Sequence, residues 1–212
     1  MLKLDNVTFI IIDCIDLSRA KNTIKFCLKK AKFFEAKLLT HLKTIDEFYE
    51  YSIVSIDNIN SIQNLSYFCI KKLNNYFDTN FVLLGQYDGY ILHEDMWSDE
   101  FLEYDYIGAP WPEFLIKEGP KIYNVGNGGF SLRSKKLQTI LQEDDNIILD
   151  NLEDVAICRL NRPYLENEYG IRFAPYEVAE KFSFEYISYY NQPIKKTFGV
   201  HNFMLPPWHN KI

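Results

Sequence analysis

Apolar positions in the first part of the chain form short unbroken runs separated by stretches of helical spacing. The runs that predict buried strands are Val7–Ile12, Ala36–Leu42, Tyr51–Ile56 and Phe81–Leu84. Apolar residues that recur every three or four positions predict two amphipathic helices, from about Leu17 to Phe33 and from Ser61 to Phe77. Strands that alternate with helices predict an α/β fold with a central, mostly parallel sheet and helices on both faces.

The pattern changes after Leu92. Residues 93–119 are acidic and aromatic and contain Pro110-Trp111-Pro112, which predicts a long surface connection. The segment GNGGFSLRS then predicts a glycine-rich turn that runs into a strand. Further helices are predicted at Lys135–Gln142, at Asn151–Leu160 and just after Pro175. No repeat or linker divides residues 1–212, so a single domain is expected.

Composition narrows the classes of function. A net charge of −6 argues against a nucleic-acid partner, because binding a polyanion requires a basic face. The four cysteines have neither metal-binding nor disulfide spacing, which predicts free thiols in a reducing compartment. The first apolar run is interrupted by Asp13 and Asp16, too early for a signal peptide or a membrane span. We therefore expect a cytoplasmic protein with at most peripheral contact with the inner face of the membrane.

Asp88 follows the last of the apolar runs, between Gly85 and Gly89. A carboxylate at the end of a buried strand adds no packing, but the carboxyl ends of such strands are where ligands bind in open α/β sheets. One interpretation is therefore an inward-facing metal ligand. The other is an ordinary turn, since Asp beside Gly is a common turn pair.

The glycine turn and a later acidic pair have alternatives of the same kind. The turn at Gly126–Gly129 serves either to bend the chain or to let the backbone approach a sugar or phosphate closely. Glu153 and Asp154 open a predicted helix, and with Asn151 as N-cap they resemble a capping arrangement. The functional alternative is that Asp154 is a general base facing a cleft.

His201 and Trp111 are the last two candidates. A lone histidine is usually a structural hydrogen-bonding group, but an imidazole that joins a carboxylate around a divalent ion suits Mn²⁺. Trp111 lies between two prolines and is either a packing anchor or a flat face for a sugar ring. The sequence leaves both choices open.

Taken together, QYDGYIL, FLEYDYIGAPWP, VGNGGFSLRS, LEDVAICR and FGVH resemble the GT-A glycosyltransferases. More specifically, the chain resembles an uncharacterised bacterial and viral family of glycosyltransferase-like proteins. The resemblance runs from about Asn80 to His201. It implies a nucleotide-sugar-binding half over residues 1–92 and an acceptor half over residues 93–212.

The resemblance also implies roles for individual residues. Asp88 corresponds to the final acid of the DxD metal motif, and His201 to the C-terminal metal-binding histidine, for Mn²⁺ or Mg²⁺. The acidic pair Glu153 and Asp154 contains the catalytic base. The implied nucleotide-sugar contacts are Asp13, Gln86, Tyr87, Asn127, Gly128 and Gly129, and Trp111 is the implied acceptor contact. Gln86 departs from the pattern, because it stands in place of the first acid of DxD and leaves the metal with fewer carboxylates.

The expected activity is the transfer of a hexose from a UDP-linked donor to a hydroxyl group of a glycan or glycolipid, with inversion and metal assistance. The acceptor class would be a surface glycan such as lipopolysaccharide or capsule. Two other functions remain open at this point: a nucleotide-sugar hydrolase or nucleotidyltransferase on a similar sheet, and a non-catalytic nucleotide-sugar-binding module.

Overall fold

A computed structural model of the chain describes residues 1–43, 50–111, 123–185 and 196–203. The described strands are β1 (Leu2–Ile12), β2 (Ala31–Thr40), β3 (Ser52–Ser55), β4 (Phe81–Gly85), β5 (Tyr90–Ile91), β6 (Tyr106–Gly108), β7 (Phe130–Ser134), β8 (Ser183–Glu185) and β9 (Gly199–His201). The helices are α1 (Leu17–Leu28), α2 (Ile62–Lys71), α3 (Lys135–Glu143), α4 (Glu153–Val155), α5 (Arg162–Tyr169) and α6 (Tyr176–Phe182). A π-helical turn, Ala156–Leu160, continues α4.

The main sheet has six strands in the order β3-β2-β1-β4-β7-β6. β1 to β4 pair in parallel, and β7 runs antiparallel to both β4 and β6. A small second sheet has the order β5-β9-β8. The predicted α/β class with a mostly parallel sheet is therefore confirmed.

Helices cover both faces of the main sheet because successive residues of β1 point to opposite sides. Phe9 and Ile11 belong to the core cluster that includes Ile24 of α1. Ile10, between them, packs instead in the cluster that includes Phe68 of α2. Such two-sided burial explains why β1 reads as a continuous apolar run rather than an alternating one.

The first helix ends earlier than predicted, at Leu28 rather than Phe33. From Ala31 onward burial alternates, with Ala31 and Phe33 buried and the residues between and after them exposed. These residues pair with the start of β1, where Leu4 lies opposite Phe33. The prediction extended the helix too far because Ala31 continues the helical spacing of the preceding apolar residues, although burial from Ala31 onward has the strand period of two.

The predicted surface connection over residues 93–119 is also partly wrong. It contains β6, in which Tyr106 and Ile107 are fully buried. β6 extends the sheet because its residues pair with β7, with Ile107 opposite Leu132. Residues 112–119 lie outside the described part of the chain.

The registers bring several loops to one edge of the sheet. Ile11 of β1 pairs with Gly85 of β4, and Gly85 also pairs with Phe130 at the start of β7. The segments that follow β1 and β4 and the glycine turn that precedes β7 therefore meet at this edge. In the part of the chain that the structure describes, no helix is long and apolar enough to cross a membrane.

Candidate active site

Asp88 lies in a tight turn directly after β4. The Gly89 amide donates to the Gln86 carbonyl (3.1 Å), and the Gln86 amide donates to the Gly129 carbonyl (3.0 Å). The turn interpretation is correct for the backbone, but it does not account for the side chain. Asp88 is 7% exposed, and its Oδ1 is a buried oxygen without a hydrogen-bond partner. Burial raises the pKa of Asp88, although the charge of His201 opposes the rise. A buried, unpaired carboxylate oxygen is costly unless a ligand or ion completes it.

His201, at the end of β9, faces this carboxylate. Its Nε2 lies 3.7 Å from Asp88 Oδ1 and 3.3 Å from Gln86 Oε1. On the other side of the ring, Nδ1 donates to Glu185 Oε2 (2.7 Å). Burial by itself lowers the pKa of His201, but the hydrogen bond and the charge of Glu185, with those of Asp88 and Asp154, raise it above its ordinary value.

Asp88 and His201 fit a divalent metal ion that takes only two of its ligands from the protein. Glu185 fixes the proton on Nδ1, so in neutral His201 the lone pair of Nε2 points toward Asp88. Among the described residues, no group of three or more His, Cys, Asp or Glu side chains is arranged to hold a metal ion. Asp88 and His201 could therefore supply two ligands, with the remainder coming from a phosphate-bearing ligand and water, as is usual for Mg²⁺.

The glycine turn packs directly against Glu185, which supports His201, and against Glu153. Asn127 donates from Nδ2 to Glu185 Oε2 (2.6 Å), and its Oδ1 accepts from the Gly129 amide (3.1 Å). A side chain at Gly129 would overlap the His201 ring, and one at Gly128 would overlap Glu153 Oε1. The glycines are therefore required by close approach rather than by unusual dihedral angles.

Glu153 and Asp154 do not form the predicted helix cap. The N-cap of α4 is Leu152, which makes no side-chain cap hydrogen bond, so the predicted capping by Asn151 is wrong. Glu153 instead pairs with the buried Arg133, whose Nη2 lies 3.0 Å from Glu153 Oε1. The Glu153 side chain is therefore directed toward the main sheet, where Arg133 lies on β7.

Asp154 reaches the glycine turn. Its Oδ2 accepts from the Gly128 amide (3.2 Å), and its Oδ1 accepts from the Val155 amide (2.8 Å). Burial and the neighbouring charge of Glu153 raise the pKa of Asp154 to about 6, despite these hydrogen bonds. A carboxyl with such a pKa is still ionised at neutral pH, but it is a stronger base than an ordinary aspartate.

A cavity of about 360 Å³ opens beside these residues, at the ends of β1 and β4. Asp13, Gln86, Tyr87 and Glu153 contribute to its wall, and several isoleucine and leucine side chains make much of the rest. Asp13 Oδ1 accepts from the amides of Ile15 and Asp16, while its Oδ2 is buried without a partner. The wall thus combines apolar surface with one unpaired acceptor.

Trp111 does not line this cavity. The indole is 8% exposed and belongs to the core cluster that contains Tyr106 and Ala156. The Arg159 guanidinium lies 4.4 Å from the ring centroid, and Gly126 lies against the edge of the ring. Of the two sequence-based alternatives, this burial favours the packing anchor, and the role of Trp111 as an acceptor contact stays a prediction.

The structure thus brings the remaining sequence-based candidates to one edge of the sheet, and it adds three residues that sequence reasoning missed. Glu185 was missed because it stands in an aromatic stretch where no local pattern marks it. Arg133 gave a usable signal, since a charge inside the apolar strand FSLRS indicates a buried partner. Arg19 lines the cavity with its guanidinium 3.9 Å from the centroid of Tyr87.

Comparisons with known proteins place this geometry in context. Residues 48–201 match the model of a family described as "Protein of unknown function (DUF5672)". The chain belongs to this family. The description of the DUF5672 family carries no activity, and a search of curated proteins finds no match.

Solved structures give the fold. A glycosyltransferase involved in the glycosylation of the major capsid of PBCV-1 is 11% identical, with 92% of each chain covered and a TM-score of 0.55. The galactosyltransferase LgtC, solved with donor and acceptor sugar analogues, is 12% identical, with 96% of this chain and 90% of that chain covered and a TM-score of 0.51. At such identities the likeness concerns the fold alone. The DUF5672 chain therefore has a GT-A-like fold, as the sequence predicted.

Proposed function

We propose that this chain is a glycosyltransferase that moves a hexose from a UDP-linked sugar to a glycan hydroxyl group, with inversion and with assistance from a divalent metal ion. The observation that carries the proposal is the convergence of Asp88, His201 and Asp154 at the ligand-binding edge of a GT-A-like sheet. These residues are far apart in the sequence, and their meeting beside a cavity supports a shared chemical role.

The cavity suits the nucleoside part of the donor. Its volume of about 360 Å³ is within the usual range for small-molecule sites. The apolar wall covers the faces of a base, and the unpaired Asp13 Oδ2 accepts a hydrogen bond from a base or ribose donor. Because Tyr87 lines the cavity and Asp88 follows it in the chain, a nucleoside bound there would have its diphosphate near Asp88.

Asp88 Oδ1 and His201 Nε2 would hold the metal ion. When bound, Mn²⁺ or Mg²⁺ neutralises the charge that develops on the departing diphosphate. Glu185 keeps the imidazole in the orientation and tautomer that such binding requires. Because Gln86 supplies an amide oxygen in place of a carboxylate, we expect weak metal binding in the absence of the nucleotide.

Asp154 acts as the base. It takes the proton from the acceptor hydroxyl as that oxygen bonds to the anomeric carbon, and the bond between that carbon and the diphosphate oxygen breaks on the opposite face. The ratio kcat/KM, which reports ionisation of the free enzyme, should therefore fall as the pH falls through the pKa of Asp154, at about 6. The Gly128 and Val155 amides hold the carboxylate in place while it reacts.

The test supplies a panel of UDP-hexoses with Mn²⁺ to the full chain and follows UDP release with and without glycan acceptors. Asp154→Asn should lower acceptor-dependent release by about 10²- to 10⁴-fold, the usual contribution of a general base, and leave UDP binding intact. Glu168→Gln, which removes an exposed carboxylate on α5, is the matched control. The anomeric configuration of the product, measured by NMR, reports inversion or retention.

Three outcomes would contradict the proposal in different ways. UDP release that no acceptor changes would indicate a hydrolase. UDP binding without turnover for any donor would indicate a non-catalytic binding module. A retained configuration would exclude direct displacement with Asp154 as base.

A further inference from the structure

Arg133, on β7, is the largest fully buried side chain in the described part of the chain, and its charge lies beside the candidate base. A buried guanidinium is stable only where its charge and its N–H groups find partners. Arg133 has two hydrogen-bond partners, Ser131 Oγ at 3.0 Å from Nε and Glu153 Oε1 at 3.0 Å from Nη2. It also lies over the ring of Tyr106, with 5.2 Å between the guanidinium carbon and the ring centroid.

Both branches of this network end at the same residue, Gly128. On one branch, Ser131 Oγ donates to the Gly128 carbonyl (3.1 Å). On the other, Glu153 Oε1 is in contact with the Gly128 α-carbon region, where an added side chain would overlap it. The Gly128 amide then donates to Asp154 Oδ2 (3.2 Å). The guanidinium is therefore linked both to Gly128, whose amide bonds Asp154, and to Glu153, which precedes Asp154.

Charge gives Arg133 a second role at the same place. Glu153 and Asp154 are adjacent carboxylates in a largely buried setting, and Arg133 is a cation in contact with one of them. Its charge lowers the pKa of Asp154, against burial and the charge of Glu153, which raise it. The other titratable groups that feel the charge of Asp154 are His201, Cys69, Cys158 and Tyr106. Burial raises the pKa of both thiols and of the phenol, so these three groups stay neutral at neutral pH.

We propose that Arg133 is a positioning residue for the base of the proposed transfer, acting through Ser131 on the Gly128 carbonyl and through Glu153 on the acidic pair. Glu153 is then part of the support of Asp154 and not itself the base. The catalytic consequence depends on the proposed glycosyltransferase function, but the effect on Asp154 does not.

The primary test follows the side-chain carboxyl signal of Asp154 by ¹³C NMR as the pH is varied, with Asp154→Asn used to assign the signal. In Arg133→Met the titration midpoint should move to higher pH by about one unit, since one neighbouring positive charge is lost. In the double variant Arg133→Met with Glu153→Gln the midpoint should return to or below its original position, because the two removed charges have opposite effects. If the midpoint is the same in the wild type and in the folded Arg133→Met variant, the proposal is wrong.

Removing a buried charge partner can prevent folding, so two milder variants complete the test. Arg133→Lys keeps the positive charge, but an ammonium group lacks the planar arrangement of N–H groups that bonds both Ser131 and Glu153. Ser131→Ala removes only the hydrogen bond to the Gly128 carbonyl and the one from Arg133. In both we expect an unchanged affinity for UDP and a three- to tenfold fall in kcat with any active donor. Arg162→Lys, at a second buried arginine that pairs with Glu166, is the matched control.

These readouts separate two kinds of failure. If no donor gives turnover but the Asp154 midpoint shifts as expected, Arg133 keeps its role and the proposed transfer is in doubt. If transfer occurs with a base-dependent pH profile and neither Arg133→Lys nor Ser131→Ala changes kcat or the Asp154 midpoint, Arg133 has a purely structural role.

Discussion

Replacing Asp154 by asparagine should make the fold progressively more stable, relative to the wild type, as the pH rises. Folding raises the pKa of this carboxyl from 3.8 to about 6, so the native state binds its proton more tightly than the unfolded chain does. Such a carboxyl favours folding while it is protonated, below pH 3.8, and this contribution is lost as the pH rises to about 6. At about 1.4 kcal/mol for each pH unit, the full loss is about 3 kcal/mol, of which about 2 kcal/mol falls between pH 4.5 and 7.5.

The assay is urea unfolding of the wild type and Asp154→Asn at several pH values between about 4.5 and 7.5. The variant also loses one of the two amide hydrogen bonds to Asp154, at a cost of about 1 kcal/mol that does not depend on pH. The change in the free-energy difference with pH is therefore the informative quantity. Because Glu153 lies beside Asp154, this change describes the titration of the pair. Glu168→Gln reports the effect of losing one exposed carboxylate.

A free-energy difference that stays constant over this range would refute the reasoning, because the pKa of Asp154 would then be the same in the native and unfolded states. A difference that moves in the opposite direction would be more informative still. It would mean that folding lowers the pKa, as expected of a helix-capping carboxylate and not of a base held beside a second acid.

Three further predictions concern the ligand-binding residues. Asp88→Asn should abolish the additional thermal stabilisation that Mn²⁺ gives in the presence of UDP. Asp78→Asn, at an exposed acid before β4, should retain this stabilisation. A retained Mn²⁺ effect in Asp88→Asn would show that the Asp88 carboxylate does not bind the ion. Arg19→Gln should weaken UDP binding, measured by calorimetry, by about tenfold or more and leave uridine binding unchanged, because only UDP offers Arg19 a charged partner. Lys29→Gln is the control, and equal losses of affinity for UDP and uridine would contradict this role. Gly129→Ala should lower the free energy of unfolding by about 1–3 kcal/mol because the new methyl group overlaps the His201 ring, and an unchanged urea midpoint would show that the two are not in contact.

The amino-acid sequence by itself determined the fold class and the order of the strands and helices up to β4, because the spacing of apolar residues follows directly from which faces of each element are buried. It failed where two spacings coincide. Ala31 fits the end of a helix as well as a strand, and only pairing with Leu2–Ile12 selects the strand. The same is true of Tyr106–Gly108, which is too short to stand out but is buried by its pairing with β7.

Candidate site residues could be chosen from sequence where a local rule was broken, as by Asp88 after a buried strand or the glycines before Phe130. The meaning of the acidic pair could not be found in this way. Glu153 and Asp154 satisfy the local rule for a helix start. Their side chains, however, accept hydrogen bonds from Arg133 and from the Gly128 amide instead of capping the helix. Only the tertiary structure decides between the two, because hydrogen bonds and charges act through short distances in space, and the sequence contains no record of which distant groups come within reach.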